Sequence, residues 1–357
     1  MLLEGLHIPL TTPFHPDGRL NPRKLAANVV RYSRTPAAGL LALGPSGEPT
    51  LLSDNETREV LRAVAESAAP EKVLIAGIAR GSVAATLDLA TYAADLDYDA
   101  ILVGVPSSLA PCSIAEEPPL TRLRELLAFF QTLADRSPLP IVLLSVSARP
   151  IPIAAVVELA AHPHVLALLT ALPRAANFDT FELLVQHTVA SRREVMVTHT
   201  FAPVTARMKK SASHAAAQLI AASTLSSAPT AVAEPPAPPA LRTRAKTVGF
   251  QVLAGHTETM LDGLIAGAVG VVPAFAAAAP QACYEVYAAW KDNDQPLAEE
   301  KQVRLIDAAR HAEATPSTLK FAADLNGYCG GLPRLPHLPL SGADRSALEP
   351  LMKPLRN

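Results

Sequence analysis

A glycine-rich turn carries the residues of this chain that are best suited to binding a small anion. The apolar run that begins at Gly39 ends in Gly44-Pro-Ser-Gly-Glu48, and a capped helix start follows at 51–56. In parallel α/β proteins, ligands bind where a buried strand leads into such a turn. The hydroxyl of Ser46, beside the backbone N–H groups of the turn, suits a carboxylate. Alternatively this hydroxyl only satisfies the backbone of the turn, and the sequence leaves both roles open.

Arg149 and Gly255 stand just after two other apolar runs, at 140–144 and 250–254. The guanidinium of an arginine is planar and can hold a carboxylate through two parallel hydrogen bonds. Arg149 can equally be a surface charge in front of Pro150. Gly255 has no side chain, so it allows a close approach to the backbone. These positions therefore join Ser46 as candidate ligand-binding residues.

Strands and helices are predicted to alternate along most of the chain. The strands are continuous apolar runs without a two-residue alternation, which is typical of parallel strands that are buried on both faces. Eight such runs occur, at 5–10, 39–43, 73–77, 100–105, 140–144, 165–169, 250–255 and 269–272. Eight βα units in one chain predict the α/β class and a (β/α)8 TIM barrel.

The domain organisation follows from two breaks in this alternation. After Asp294 only helical patterns remain, at 297–312, 317–325 and 343–352, so we predict a barrel over 1–292 and a small C-terminal helical domain over 293–357. The barrel is interrupted by an Ala/Pro/Ser-rich insert at about 191–246.

Within this insert, only 194–200 has the pattern of an extra strand. Residues 211–240 have a composition that cannot bury a core. The insert is either a genuine flexible loop or the product of a wrongly translated gene, and the sequence does not separate the two.

Composition and charge exclude several classes of function. The net charge of −2 gives no basic excess for nucleic acid. No apolar run is long enough to span a membrane, and the N-terminus lacks the pattern of a signal peptide. The three cysteines have no metal-ligand spacing and fit a reducing compartment. We therefore expect a cytoplasmic protein without a metal or other cofactor, and without nucleic-acid or membrane partners.

Several short segments carry a family resemblance through their order and spacing. They are Pro9–Phe14 with Asp17-Gly18, Gly44–Glu48, Ile75–Gly77, Arg149, Val252–Gly255, Gly267–Gly270, Pro316–Lys320 and Gly330–Pro336. Together they resemble the dihydrodipicolinate synthase / N-acetylneuraminate lyase family of class I aldolases over nearly the whole chain apart from the insert. The resemblance implies a TIM barrel, a lyase or aldolase activity on a small keto acid, and dimers or tetramers. It adds Thr12 to the expected substrate-binding residues.

The residues that carry the family's chemistry are mostly replaced. The resemblance implies a Schiff base between a lysine at the end of the sixth strand and an α-keto acid, usually pyruvate. The matching position is Leu169, or Leu168 if one gap is allowed. Leu144 stands where a proton-shuttling tyrosine is expected, and Ser107-Ser108 where a second aromatic hydroxyl is expected. Pro45 replaces the first hydroxyl of the turn. Because these groups are lost together, Schiff-base catalysis by the family's route is not expected.

Four other regions of the chain carry reactive side chains that are candidates for a substitute catalytic group. His256 follows the seventh strand and would be a new general base, but a lone histidine is more often structural or solvated. Lys209-Lys210 and Lys246 lie in the insert, where solvated surface lysines are expected rather than a substitute amine. Cys112 has no activating neighbour in the sequence.

Three hypotheses follow from the sequence. The first is a divergent lyase or aldolase-like protein that still binds a small keto acid or carboxylate, without a Schiff base. The second is a catalytically inactive pseudoenzyme that serves as a binding or scaffold partner of an active paralogue. The third is a working aldolase that uses an unrecognised lysine, against which Leu169 argues.

Overall fold

Eight parallel strands close into a barrel in a computed structural model of the chain, which describes residues 1–78, 80–109, 120–171, 183–188, 191–211 and 241–355. Ten strands occur within these residues, β1 (Gly5–Pro9), β2 (Gly39–Ala42), β3 (Val73–Gly77), β4 (Ala100–Gly104), β5 (Ile141–Val146), β6 (Val165–Ala171), β7 (Arg193–Thr198), β8 (Thr243–Val248), β9 (Gln251–Ala254) and β10 (Gly270–Val271). Their order around the barrel is β1-β10-β9-β6-β5-β4-β3-β2, and β7 and β8 form a separate sheet. The predicted TIM barrel is confirmed.

Helices alternate with the strands and then continue alone. They are α1 (Pro22–Ser33), α2 (Asp54–Ser67), α3 (Val83–Asp95), α4 (Leu120–Arg136), α5 (Ile153–Ala160), α6 (Met260–Ile265), α7 (Pro280–Lys291), α8 (Gln295–Ala312), α9 (Pro316–Leu325) and α10 (Gly342–Met352). Residues 183–188 and 206–211 are also helical. The predicted C-terminal helices are present, while the domain boundary near 292 stays a prediction. Within the described residues, no helix is both long enough and apolar enough to span a bilayer.

Local sequence explains where several helices begin. Ser53 accepts from the N–H of Glu56, whose carboxylate accepts from the N–H of Ser53 in return, so α2 starts with a capping box. Asn21 caps α1 directly before Pro22, which suits the first helical position. These two caps therefore fix where the loops after β1 and β2 end.

Side chains of alternate strand residues fill the barrel. The inner cluster contains Leu3, Leu41, Val73, Ile75, Ala100, Leu102, Val142, Leu166, Ala167, Leu169, Leu253 and Val272, with Leu144 packed against it. The intervening residues belong to the larger cluster between the barrel and its helices. Because both faces of each strand are apolar, the runs read as continuous in the sequence.

The ends of the insert are more ordered than its composition suggested. β7 pairs antiparallel with β8, from Arg193 opposite Val248 to Thr198 opposite Thr243. The pattern at 194–200 predicted a possible strand, but no element was predicted at 243–248. Residues 212–240, interpreted as flexible, lie outside the described part of the chain.

This two-stranded sheet lies against the N-terminal face of the barrel. Val195 and Val197 pack on Leu2, and Arg193 donates to the carbonyls of Ala160, Pro163 and Val165 at 3.0, 3.2 and 2.7 Å. These carbonyls belong to the end of α5 and the start of β6. The sheet therefore covers the face of the barrel opposite to the strand ends that carry the candidate site.

The helical segment that follows β7 is fixed to the same face. The carboxylate of Asp99 accepts from the N–H of Leu74 at 2.9 Å and from the N–H of Ala206 at 2.7 Å. Thr205 donates to the carbonyl of Pro70 at 2.5 Å. Burial raises the pKa of Asp99, and the two N–H donors oppose this effect. The segment thus satisfies polar groups at the starts of β3 and β4.

We expect Arg193→Ala to loosen the two-stranded sheet. The substitution leaves the carbonyls at the start of β6 without their charged donor, which costs about 1–3 kcal/mol of local stability. Hydrogen exchange should therefore speed up in β7 and β8 but not in β2 or β3. Arg192→Ala removes the exposed neighbouring arginine and serves as the control. Equal exchange rates in both variants would contradict the role given to Arg193.

Candidate functional site

The glycine-rich turn is held against the end of β1. Residues Pro45–Gly47 form a single 3₁₀ turn, and Glu48 follows with φ of 53°. The buried hydroxyl of Thr12 donates to the carbonyl of Gly47 at 2.7 Å. Thr12 therefore positions the turn and has no proton left to donate to a ligand. Its direct role in binding stays a prediction.

Ser46 and Arg149 retain hydrogen-bonding capacity at the barrel mouth, by which we mean the carboxyl ends of the barrel strands. The hydroxyl of half-buried Ser46 has no hydrogen-bond partner within the described residues. One terminal nitrogen of Arg149 donates to the carbonyls of Pro106 and Leu109 at 3.2 and 2.7 Å. These two bonds hold the loop after β4, and they leave the other two guanidinium nitrogens available for an anion.

The end of the barrel interior is apolar at β5 and β6. Leu144 lies opposite Leu169 in the strand register. Leu169 is buried, whereas Leu144 is partly exposed. A methyl group built on Gly104 would lie 3.6 Å from Leu144, so the Leu144 side chain reaches across to β4. The two positions that the resemblance assigns to the lysine and a tyrosine thus form one leucine floor.

Gly255 contributes to this floor in a way that the sequence did not indicate. A Cβ atom at Gly255 would lie 2.9 Å from the Cδ1 atom of Leu169 and 3.1 Å from the Cβ atom of Ala171. The close approach at Gly255 is therefore made by Leu169 from the neighbouring strand. Its predicted contact with a ligand stays untested.

A buried ion pair between Glu48 and Lys320 holds the glycine-rich turn in place. Neither residue was predicted to have a role in the site. Glu48 is 4% exposed and Lys320 is 1% exposed, and their charged groups are in contact. Lys320 also donates to the carbonyl of Leu332 at 3.0 Å and lies 4.5 Å from the ring centre of Phe14. Burial lowers the pKa of Lys320, and the carboxylate of Glu48 opposes this effect.

Arg334 completes this connection to the C-terminal helices. Its backbone N–H donates to Glu48 at 3.3 Å, and its guanidinium binds Glu56 with contacts of 2.8 and 2.5 Å. Hydrogen bonds from Arg334 hold the pKa of Glu56 at about 2. Lys320 and Arg334 belong to the segments Pro316–Lys320 and Gly330–Pro336, which carry part of the family resemblance. That resemblance was the only feature of the sequence that pointed to these residues.

The loops after β9 and β10 are fixed by Glu313 at the end of α8. Its carboxyl group accepts from the hydroxyl of Thr257 and, at 2.7 Å, from the N–H of Phe275. Burial raises the pKa of Glu313 to about 7. His256 lies beside this contact, and its Nδ1 atom is buried without a partner within the described residues. These contacts do not give His256 the partner that a general base requires.

Glu313→Gln should change how stability depends on pH. The folded-state pKa of Glu313 is raised from about 4.5 to about 7, so its stabilising effect is complete below about pH 4.5 and is lost as the pH rises through 7. The difference is about 3 kcal/mol. Glutamine keeps an acceptor and stays neutral, so the variant should gain stability relative to the parent chain between pH 5 and pH 8. Urea unfolding at both pH values measures this gain, and Glu299→Gln on the exposed side of α8 is the control. A constant difference between parent and variant would contradict the prediction.

The remaining candidates lie away from the mouth or outside the described residues. All nine lysines are described, and none lies at the carboxyl end of a barrel strand. Lys209-Lys210 and Lys246 belong to the opposite face, where Lys210 pairs with Asp97 at 2.6 Å and Lys246 with Glu4 at 2.5 Å. Cys112 lies outside the described residues.

Ser107 and Ser108 stand where the resemblance predicts an aromatic hydroxyl. Ser107 and Ser108 are exposed, and Ser108 donates to the carbonyl of Gly81 at 3.0 Å. The described part of the chain contains no group of three or more His, Cys, Asp or Glu residues that would hold a metal ion.

Comparison with known sequences identifies one family. The sequence profile of the dihydrodipicolinate synthetase family matches residues 2–189 and 240–355. The 4-hydroxy-tetrahydrodipicolinate synthase of Acidiphilium cryptum is 25% identical over 356 residues, which covers 98% of each chain. The enzyme of the same name from Methanothrix thermoacetophila is 26% identical over 353 residues, covering 98% of this chain and 96% of the other. The internal stretch left unmatched by the profile, 190–239, largely coincides with the insert.

Solved structures share the fold over the full length. The dihydrodipicolinate synthase of Bacillus anthracis superimposes with a TM-score of 0.74 at 18% identity and covers 100% of both chains. The chloride-inhibited enzyme from Acinetobacter baumannii, determined as a complex with pyruvate, gives a TM-score of 0.72 at 20% identity and covers 99% of this chain and 98% of the other. At these identities the similarity establishes the fold alone.

Proposed function

Since this chain belongs to the dihydrodipicolinate synthetase family, we propose that its barrel mouth binds a small carboxylate or keto acid without the lysine Schiff base that the resemblance implies. The observation that carries this proposal is the leucine floor. A Schiff base needs an amine that reaches the bound carbonyl carbon. Leu169 provides no such amine, and the Leu144 side chain cannot shuttle a proton.

The anion-binding part of the proposal is supported by Ser46 and Arg149. Arg149 is held by the carbonyls of Pro106 and Leu109, so its orientation is set before a ligand arrives. A fixed guanidinium loses little conformational freedom when it binds a carboxylate. Ser46 has a hydroxyl available for a second contact. The role proposed for both residues is recognition of the carboxylate of the ligand.

A second candidate function is that of a catalytically inactive binding or scaffold partner of an active paralogue. The same leucine floor favours it, because leucines stand at both positions that the resemblance assigns to the catalytic lysine and the tyrosine. The two candidates differ in whether the mouth still binds a small acid. In both cases we propose a homo-oligomer, a dimer or tetramer, located in the cytoplasm, on the basis of the family resemblance.

Borohydride trapping tests the proposed mechanism. The chain is incubated with pyruvate and a panel of other α-keto acids, reduced, and analysed by intact and peptide mass spectrometry. We expect no adduct above the level found without a keto acid. A reducible adduct on a single lysine would overturn both candidate functions and would identify the nucleophile. If no adduct forms, binding of the same acids in calorimetric titrations separates the ligand-binding protein from the scaffold.

A further inference from the structure

We infer that the barrel mouth selects monocarboxylates with an alkyl tail over small polar keto acids and over dicarboxylates. This inference rests on the proposed function, because it assumes that the mouth binds a carboxylate. It adds the chemical nature of the part of the ligand beyond the carboxylate, which we infer to be an alkyl chain.

The leucine floor supplies the apolar half of the site. Leu144 packs against the inner cluster and remains partly exposed, so apolar surface is accessible at the mouth. Leu169 fills the space beside Gly255 and is itself buried, so Leu144 carries the accessible part of the floor. An alkyl chain placed there gains from leaving water, whereas a keto oxygen or a second carboxylate loses its hydration without a partner.

Polar groups that can hold a carboxylate follow β1, β2 and β5. Two guanidinium nitrogens of Arg149 and the hydroxyl of Ser46 have no partner within the described residues. Thr11 adds an independent observation, because its hydroxyl oxygen is buried and has no hydrogen-bond partner there. Leu10 belongs to the cluster between the barrel and its helices. The N–H of Leu10 donates to the carbonyl of Leu41 at 2.9 Å, so the pairing with β2 continues past Pro9. Alternation along this extended stretch places Thr11 on the side of the barrel interior.

The arrangement as a whole is that of a site for an amphipathic acid. The charged head binds the polar groups that follow β1, β2 and β5, and the tail lies on Leu144, above the buried Leu169. Each methylene group that is buried on the floor should tighten binding about fourfold, until the chain extends beyond the leucines. Pyruvate has no tail that reaches the floor, so it should bind weakly.

The test is a calorimetric titration of the full chain with straight-chain acids from acetate to octanoate, with butyrate and succinate as a matched pair. We expect Kd to fall with chain length, and butyrate to bind more tightly than succinate. Leu144→Ser should flatten the dependence on chain length. Leu338→Ser, at an exposed leucine of the C-terminal region, should leave it unchanged. Arg149→Lys should weaken all acids about equally, by roughly tenfold.

Each contrary outcome has a separate meaning. If the acids bind with the same Kd at every chain length, or succinate binds more tightly than butyrate, the inference about the tail is wrong while the proposed carboxylate site stands. If the dependence on chain length persists in Leu144→Ser, the tail does not lie on the leucine floor and the inference is overturned. If none of the acids binds, the carboxylate site itself is wrong and the scaffold function is favoured.

Discussion

Replacing Glu48 by alanine is expected to lower the free energy of unfolding by about 3–5 kcal/mol. The substitution leaves the ammonium group of Lys320 buried beside Phe14 without its counter-charge. A single uncompensated charge in the interior costs far more than the loss of a surface ion pair. Urea unfolding followed by far-ultraviolet circular dichroism measures the change.

The control for this prediction is Glu59→Ala, which removes an exposed glutamate of the same α2 region and should cost less than about 1 kcal/mol. The pair Glu48→Gln and Lys320→Met removes both charges, and the double variant should be more stable than the sum of the two single effects predicts. A Glu48→Ala variant that unfolds at the same urea concentration as Glu59→Ala would show that the ion pair does not fix the turn.

Leu169→Lys is expected to create a reducible adduct with pyruvate that the parent chain lacks. Leu169 lies at the end of β6 and faces the barrel interior, so a lysine there would be surrounded by apolar side chains. Burial lowers the pKa of a lysine by as much as about 3–5 units, which leaves a nucleophilic amine near neutral pH. Arg149 remains available for the carboxylate of pyruvate. Labelling of position 169 should rise from background to a large fraction of the protein.

Two variants test whether position 169 is special. Leu168→Lys places the same group one residue earlier, where the side chain faces the helices, and should give no adduct. Leu338→Lys adds an exposed lysine and measures non-specific labelling. Circular dichroism establishes that each variant folds. Equal labelling at 168 and 169, or none at 169 in a folded variant that still binds pyruvate, would contradict the assigned orientation of β6.

The fold was accessible from the sequence because it depends on repeated, local patterns. Each barrel strand is buried on both faces, so its apolar run is visible without knowledge of its neighbours. Capping residues such as Ser53 and Asn21 mark helix starts in the same local way. The strand at 243–248 was missed because its residues are mostly polar and exposed, and because it is stabilised by a partner some fifty residues earlier.

The candidate site could be predicted only in part, because several of its contacts join residues that are distant in the sequence. Ser46 and Arg149 follow apolar runs, so their positions at strand ends were predictable. The partners of Glu48 are hundreds of residues away in sequence, and no spacing rule connects Glu48 with Lys320 or Arg334. Gly255 was assigned to a ligand because a glycine at a strand end permits close approach, but the sequence does not say which group approaches. In the structure that group is Leu169.

The pairing of β7 with β8 has a consequence for how this chain tolerates changes in length. Because the two strands bind each other across the face opposite the mouth, the segment that joins them begins and ends at nearly the same place. The entropic cost of such a closed loop grows only with the logarithm of its length. Insertions and deletions between β7 and β8 should therefore cost little stability and accumulate during evolution. The same position would accept a fused reporter domain in engineering work.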